Sequence, residues 1–292
     1  MNTIISIKHQ SKYLKIFWVA TFMVISISCT QKEEPTPVPS NGRSMLLIGN
    51  SFFRPYAEKL NDMAIDAGFE NHHSTTVFRG GENGRPINFW NDTNTNEHAE
   101  IKARLDAGGV EIFGMTAGHD IENPSEGHRA WVSYALQNNP DIIIFIAIPP
   151  IDFPEDWEQR AQDYGFDTIQ ELYTYFVKDI VHNGIVAQLR TEFPTTKIFT
   201  IPTGWAAINL AQMQKDNELL DQIDLFGPKS SSIFTDQKGH QGDIVIETGG
   251  LIWLNSLYQV NLQSHVYETG FTTDLHEIAN QIMENHDSNY KL

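Results

Sequence analysis

Five short apolar runs alternate along this chain with stretches of helical period. The runs fall at 45–49 (MLLIG), 74–78 (STTVF), 110–116 (VEIFGMT), 141–148 (DIIIFIAI) and 197–201 (KIFTI). They are too short for helices and nearly continuous in apolar character, the mark of strands buried on both faces. Between them the pattern predicts helices at 52–67, 95–107, 125–138 and 167–192, with two more at 242–260 and 273–286. Asn139-Pro140-Asp141 and Phe193-Pro194-Thr195 stop a helix just before a strand. This alternation predicts an α/β protein, a three-layer α/β/α sandwich around a five-stranded parallel sheet. The longest irregular stretches, 79–94, 117–124 and 149–166, each follow a strand. They therefore gather at the carboxyl edge of the sheet, where open α/β folds bind ligands.

The first 28 residues fall outside this pattern. Lys8, Lys12 and Lys15 lead into an apolar core at 16–25, and Ser26-Ile27-Ser28-Cys29 closes it with small residues. This is the layout of a secretory signal. Cys29 is the only cysteine in the chain, and it stands where cleavage would occur. The segment resembles a bacterial lipobox, although Ser26 takes the place usually held by Leu. Lipidation of Cys29 is the expectation, with a plain secreted protein as the alternative. Residues 30–42 carry three prolines and no large apolar side chain beyond Val38, as suits a stiff, solvated tether. Lys32-Glu33-Glu34 is similar to a short acidic signal that sends some lipoproteins to the outer surface. The expected organisation is a signal at 1–28, a lipidated cysteine and tether at 29–43, and one domain at 44–292. The expected location is the bacterial cell envelope, with membrane contact through the lipid anchor only.

Composition narrows the partners. The formal charge is −17, and removing three lysines and no acids with residues 1–28 takes it to about −20. A surface this acidic repels nucleic acid, and no basic stripe or stacking motif offsets it. A neutral or acetylated sugar is the more compatible substrate. About 250 residues can bury one core without disulfides.

Candidate chemistry begins at Gly49-Asn50-Ser51, where the first apolar run passes directly into a helical segment. A serine on such a strand-turn-helix junction points its hydroxyl out of the sheet edge. It serves equally well as a cap for the helix starting near Phe52. Near the other end stands Thr235-Asp236-Gln237-Lys238-Gly239-His240, before a long apolar helix. A histidine there can act as general base to a hydroxyl while the acid fixes its tautomer. The alternative is a turn in which Asp236 caps the helix that follows, with a surface histidine.

With these blocks in place, residues 44–262 resemble the SGNH hydrolase (GDSL-like esterase) family, whose sheet is flavodoxin-like. Gly49-Asn50-Ser51 matches its first block, with Asn where many members carry Asp. Asp236 and His240 match its Asp-x-x-His pair with one extra residue between them. Arg79-Gly80-Gly81 stands at the second block, where Gly80 or Gly81 offers a backbone N–H. The third block usually supplies an asparagine; here the third run ends in Thr116-Ala117-Gly118-His119-Asp120, which puts His119 in that place. Ile146-Ala147-Ile148-Pro149-Pro150 and Ile201-Pro202-Thr203-Gly204-Trp205 also look like the ends of the fourth and fifth strands in one branch.

The resemblance implies a serine esterase acting on small-molecule or polysaccharide esters, removing O-acyl (acetyl) groups from a carbohydrate. Ser51 would be the nucleophile, His240 the base and Asp236 its orienting acid. Ser51, Gly80 or Gly81, and His119 would form the oxyanion hole. No metal or organic cofactor is required. The alternatives are a non-catalytic surface lipoprotein that binds carbohydrate, and a periplasmic lipase or thioesterase.

Three further motifs point to no other chemistry. His119-Asp120-x-Glu122 lacks metal-ligand spacing. Gly81-Glu82-Asn83-Gly84-Arg85-Pro86 lacks the Gly-Lys-Ser/Thr ending of a phosphate loop. Glu155-Asp156-Trp157-Glu158 suits either a lid with an aromatic platform or a loop whose Trp packs on the domain.

Overall fold

The computed structural model describes residues 41–118 and 123–292. Its elements in chain order are β1 (Ser44–Gly49), α1 (Arg54–Asp66), β2 (His73–Phe78), α2 (Pro86–Asn91), α3 (Asn96–Asp106), β3 (Ile112–Thr116), α4 (Glu126–Ala135), β4 (Ile143–Ala147), α5 (Trp157–Asp163), α6 (Ile169–Tyr175), α7 (Ala187–Glu192), β5 (Ile198–Ile201), α8 (Gly204–Lys215), β6 (Asp224–Phe226), β7 (Ser232–Phe234), α9 (Asp243–Tyr258) and α10 (Leu275–Asn285). A π-helical segment, Phe176–Val186, joins α6 to α7.

All five strands expected from the apolar runs form one parallel sheet in the order β2-β1-β3-β4-β5. This is the flavodoxin-like doubly wound order, which switches direction at β1. β3 and β5 are wholly buried and β1 and β4 nearly so, as their apolar runs require. Helices cover both faces. α1, α8 and α10 pack against α9, while α2, α3 and α4 pack together. Trp253 of α9 lies in the core, edge-on to Phe53 and Phe145 at 5.0 and 5.3 Å between ring centres. Its indole N–H donates to Thr203 Oγ1 at 2.8 Å, so the ring is buried without an orphaned donor.

The structure adds to the expected helices. α8 and the short pair β6–β7 are unpredicted, α2 lies within 79–94, and α5 lies within 149–166. The single helix expected over 167–192 is instead three segments, the middle one π-wound. Among the described residues, no helix is long and apolar enough to cross a membrane. Cys29 and the segments at 1–28 and 29–40 lie outside the described residues.

Candidate active site

Ser51 sits in the turn after β1, at the carboxyl edge of the sheet. Asn50 shapes that turn. Its side-chain oxygen accepts the Phe52 N–H at 3.0 Å, and its carbonyl accepts those of Phe53 and Arg54. α1 begins at Arg54 and has no side-chain cap. The Ser51 hydroxyl is therefore not spent on the helix end, and it reaches His240 instead. Ser51 Oγ and His240 Nε2 are 2.8 Å apart, and His240 Nδ1 and Asp236 Oδ2 are 2.6 Å apart. With the proton on Nδ1, the ring donates to Asp236 and accepts from Ser51. Residues 189 positions apart thus form one hydrogen-bonded chain.

The extra residue between Asp236 and His240 is absorbed by Gly239, whose φ of +96° lies in the left-handed region. Asp236 Oδ1 accepts the backbone N–H groups of Gly239 and His240 at 3.1 and 3.2 Å. One carboxylate thus stabilises the turn with one oxygen and orients the ring with the other. Asp236 does not cap the following helix, since α9 starts at Asp243 behind Gly242 and has no side-chain cap. Burial pushes the Asp236 carboxyl up, but hydrogen bonds from the His240 ring and from the His240 and Gly239 backbone outweigh it, and its pKa lies below the usual value.

The surroundings of Ser51 follow from strand register. β1 pairs Gly49 with Phe78 and Ile48 with Met115. Carried past the strand ends, the two registers place Gly80 and Gly118 on either side of Ser51. Arg79 N–H donates to Gly49 O at 3.1 Å, which extends the first pairing. The N–H groups of Ser51, Gly80 and Gly81 donate to no described residue, so each is free to meet an incoming oxygen. Gly81 begins a single 3₁₀ turn, Gly81–Gly84, and its φ is +56°. His119, Asp120 and Glu122 lie outside the described residues. Among the described residues, no group of three or more His, Cys, Asp or Glu could hold a metal ion.

Several residues of the site were not legible in the sequence. A Cβ on Gly84 would stand 2.7 Å from Asn50 Cα, so only glycine lets this turn lie against the Ser51 turn. Arg85 covers the end of β3, its Cγ 3.0 Å from the place of a Gly118 Cβ, and its guanidinium pairs with Glu82 at 2.8 Å. Phe153 N–H donates to Lys238 O at 3.1 Å, and Lys238 Nζ stands 3.9 Å from Asp152 Oδ2. Burial raises the Asp152 carboxyl above its usual pKa, against the opposing charges of Lys238, Arg160, His240 and Arg85. Trp157 is buried, donates to Ile151 O at 2.9 Å and packs edge-on to Phe234. It is core, not a platform. Phe153, just before it, is exposed and held at a left-handed φ of +58°. No motif could have flagged these residues, because each gains its role from contact between distant segments.

No family model and no curated protein matches the chain. Among solved structures, the chain is similar to the periplasmic domain of a lipopolysaccharide acetyltransferase from Salmonella ser. Paratyphi A. The identity is 13% and the TM-score 0.35, over 58% of this chain and 69% of that one. A likeness this loose carries no argument about function.

Proposed function

We propose that this chain is a serine hydrolase of the SGNH type that cleaves carboxylic esters, with O-acetyl groups on a carbohydrate as the preferred substrate class. The observation that carries the reading is the unbroken chain Ser51 Oγ–His240 Nε2 and His240 Nδ1–Asp236 Oδ2, at 2.8 and 2.6 Å. A serine hydroxyl bonded to an imidazole, itself bonded to a carboxylate, is the arrangement that activates a weak nucleophile.

In the proposed reaction, Ser51 Oγ attacks the ester carbonyl as its proton passes to His240 Nε2. Asp236 keeps Nδ1 protonated and stabilises the imidazolium. The tetrahedral oxyanion meets the N–H groups of Ser51 and of Gly80 or Gly81, and each such donor is typically worth about 3 kcal/mol in the transition state. His119, one residue beyond Gly118, is proposed as a further donor on its sequence position alone. The alcohol leaves with the proton from His240. Water then attacks the acyl-enzyme, giving its proton to His240 and releasing the acid and free Ser51. The acidic surface and the accessible site suit a neutral sugar ester better than a lipid.

The test is hydrolysis of p-nitrophenyl acetate by three variants. Ser51→Ala and His240→Ala should each abolish turnover, since such residues act as a unit. Asp236→Asn should cost less than either, and no variant should shift the thermal transition by more than a few degrees. Wild-type turnover in Ser51→Ala would refute the reading. We also propose that Cys29 is lipidated and tethers the domain at 44–292 to the envelope. Cys29→Ser should move the protein to the soluble fraction, and unchanged membrane fractionation would refute that proposal.

A further inference from the structure

A cavity lies beside β5, the edge strand of the sheet, away from the turn that carries Ser51. It opens to solvent between α6, the π-helical segment, α8 and α10, and its volume is about 330 Å³. Two strands, β3 and β4, separate β1 from β5, whose Thr200 backs this cavity. The floor is a buried network. His182 Nε2 and His286 Nε2 stand 3.1 and 3.0 Å from the Thr200 hydroxyl. The Tyr290 ring stacks on His182 at 3.5 Å, nearly parallel. Burial lowers both histidines to a pKa of about 4, so the floor is uncharged near neutral pH.

The walls are different. Trp205 is fixed edge-on to Tyr173, with ring centres 4.9 Å apart. Among the described residues, its indole N–H has no acceptor. The half-buried Asn209 and, at the exposed rim of the cavity, Asn285 and Lys178 likewise bond no described residue. Every other described tryptophan except Trp90 bonds its N–H inside the fold. Such a set of convergent, unspent polar groups around an aromatic ring is the usual mark of a small-molecule site, and this volume is at the small end of the ~300–1,000 Å³ typical of one.

Chemistry narrows the ligand. Two amides each offer a donor and an acceptor, as a ring of hydroxyls requires. The indole supplies an apolar face and one further donor. The neutral floor leaves two opposite charges in the lining, the Lys178 ammonium and the Asp287 carboxylate, which can accept from a sugar hydroxyl. We propose that this cavity is a saccharide-binding site that takes a single pyranose ring, independent of the chemistry at Ser51. The π-wound segment agrees with this, since such windings concentrate at functional sites. The site would hold one sugar of a longer chain while the protein meets its polymer elsewhere.

The experiment is saturation-transfer NMR and calorimetry with the methyl glycosides of glucose, galactose, N-acetylglucosamine and glucuronic acid. At least one should bind the wild-type protein, and it should bind Ser51→Ala equally well. Asn209→Ala and Asn285→Ala should each weaken it by about tenfold or more with the thermal transition unchanged, and Trp205→Phe should weaken it less. Binding of none of the four would overturn the proposal. So would binding that the asparagine variants leave intact, or binding of acetate and phosphate as strong as that of the glycosides, which would mark an anion site instead. Loss of binding in Ser51→Ala would also overturn it, by placing the sugar at the other site. None of these outcomes depends on esterase activity.

Discussion

The Phe52 ring lies flat against the His240 imidazole, with centres 5.0 Å apart and planes 15° from parallel. Phe52 is the next residue after Ser51 and is almost fully buried. The segments 51–52 and 240–241 are therefore clasped at three points. Ser51 Oγ meets His240 Nε2, the two rings stack, and Gln241 Nε2 donates to Phe52 O at 3.1 Å. The stack fixes the imidazole plane while Asp236 fixes its tautomer, so the ring is held in two independent ways.

This clasp predicts a positioning role for Phe52. Phe52→Leu keeps an apolar side chain but removes the flat face. It should lower kcat by about tenfold, with KM nearly unchanged, because orientation matters most at the transition state. Steady-state kinetics on a p-nitrophenyl ester decides it. Equal losses in kcat and stability, restored together by lower temperature, would instead mean that Phe52 acts only as core.

Gly239 bears on the same geometry. Its φ is +96°, and a Cβ there would stand 2.9 Å from Pro154 Cδ. Gly239→Ala should destabilise the fold by ~1–2 kcal/mol. It should also reduce turnover by more than the lost stability explains, because the turn it strains carries the Asp236–His240 bond. Thermal melts and kinetics on the same preparation separate the two effects.

How much of this the sequence reveals depends on the kind of signal. The five strands are legible because a buried parallel strand is a nearly continuous apolar run. α8 is not, since residues such as Gly204, Ala206, Ala207 and Ile208 are buried on several sides and leave no clean helical stripe. α2, at six residues, and β6–β7, at three each, are too short for any periodicity. Ser51, Asp236 and His240 stand out because an apolar run ending in Gly-Asn-Ser and a close Asp/His pair are local patterns. Phe52, Gly84, Asp152 and Phe153 stay hidden, because what they touch is set by the sheet register and by loops far apart in sequence.

Acid should weaken the fold before the carboxylates titrate. Burial lowers His72, His182 and His286 from an ordinary pKa of 6.5 to about 4. Between these values the unfolded chain binds protons that the folded chain does not, so stability must fall as the pH drops from about 6.5 toward 4. Above that window the three contribute no pH dependence. At pH 5 the loss should be on the order of 1–2 kcal/mol per histidine. Thermal melts from pH 7.5 to 5 should show this decline, and His182→Gln should flatten it. A transition temperature independent of pH across that range would contradict the buried, neutral state of these rings.

The central claim is that Ser51 is an activated nucleophile, and a serine-reactive fluorophosphonate tests it most directly. The protein should be labelled at one residue, which peptide mapping should identify as Ser51. Labelling should vanish in Ser51→Ala and drop by orders of magnitude in His240→Ala, because the hydroxyl attacks only when the imidazole takes its proton. Label on a different serine, or a folded wild-type protein that takes no label, would contradict the account.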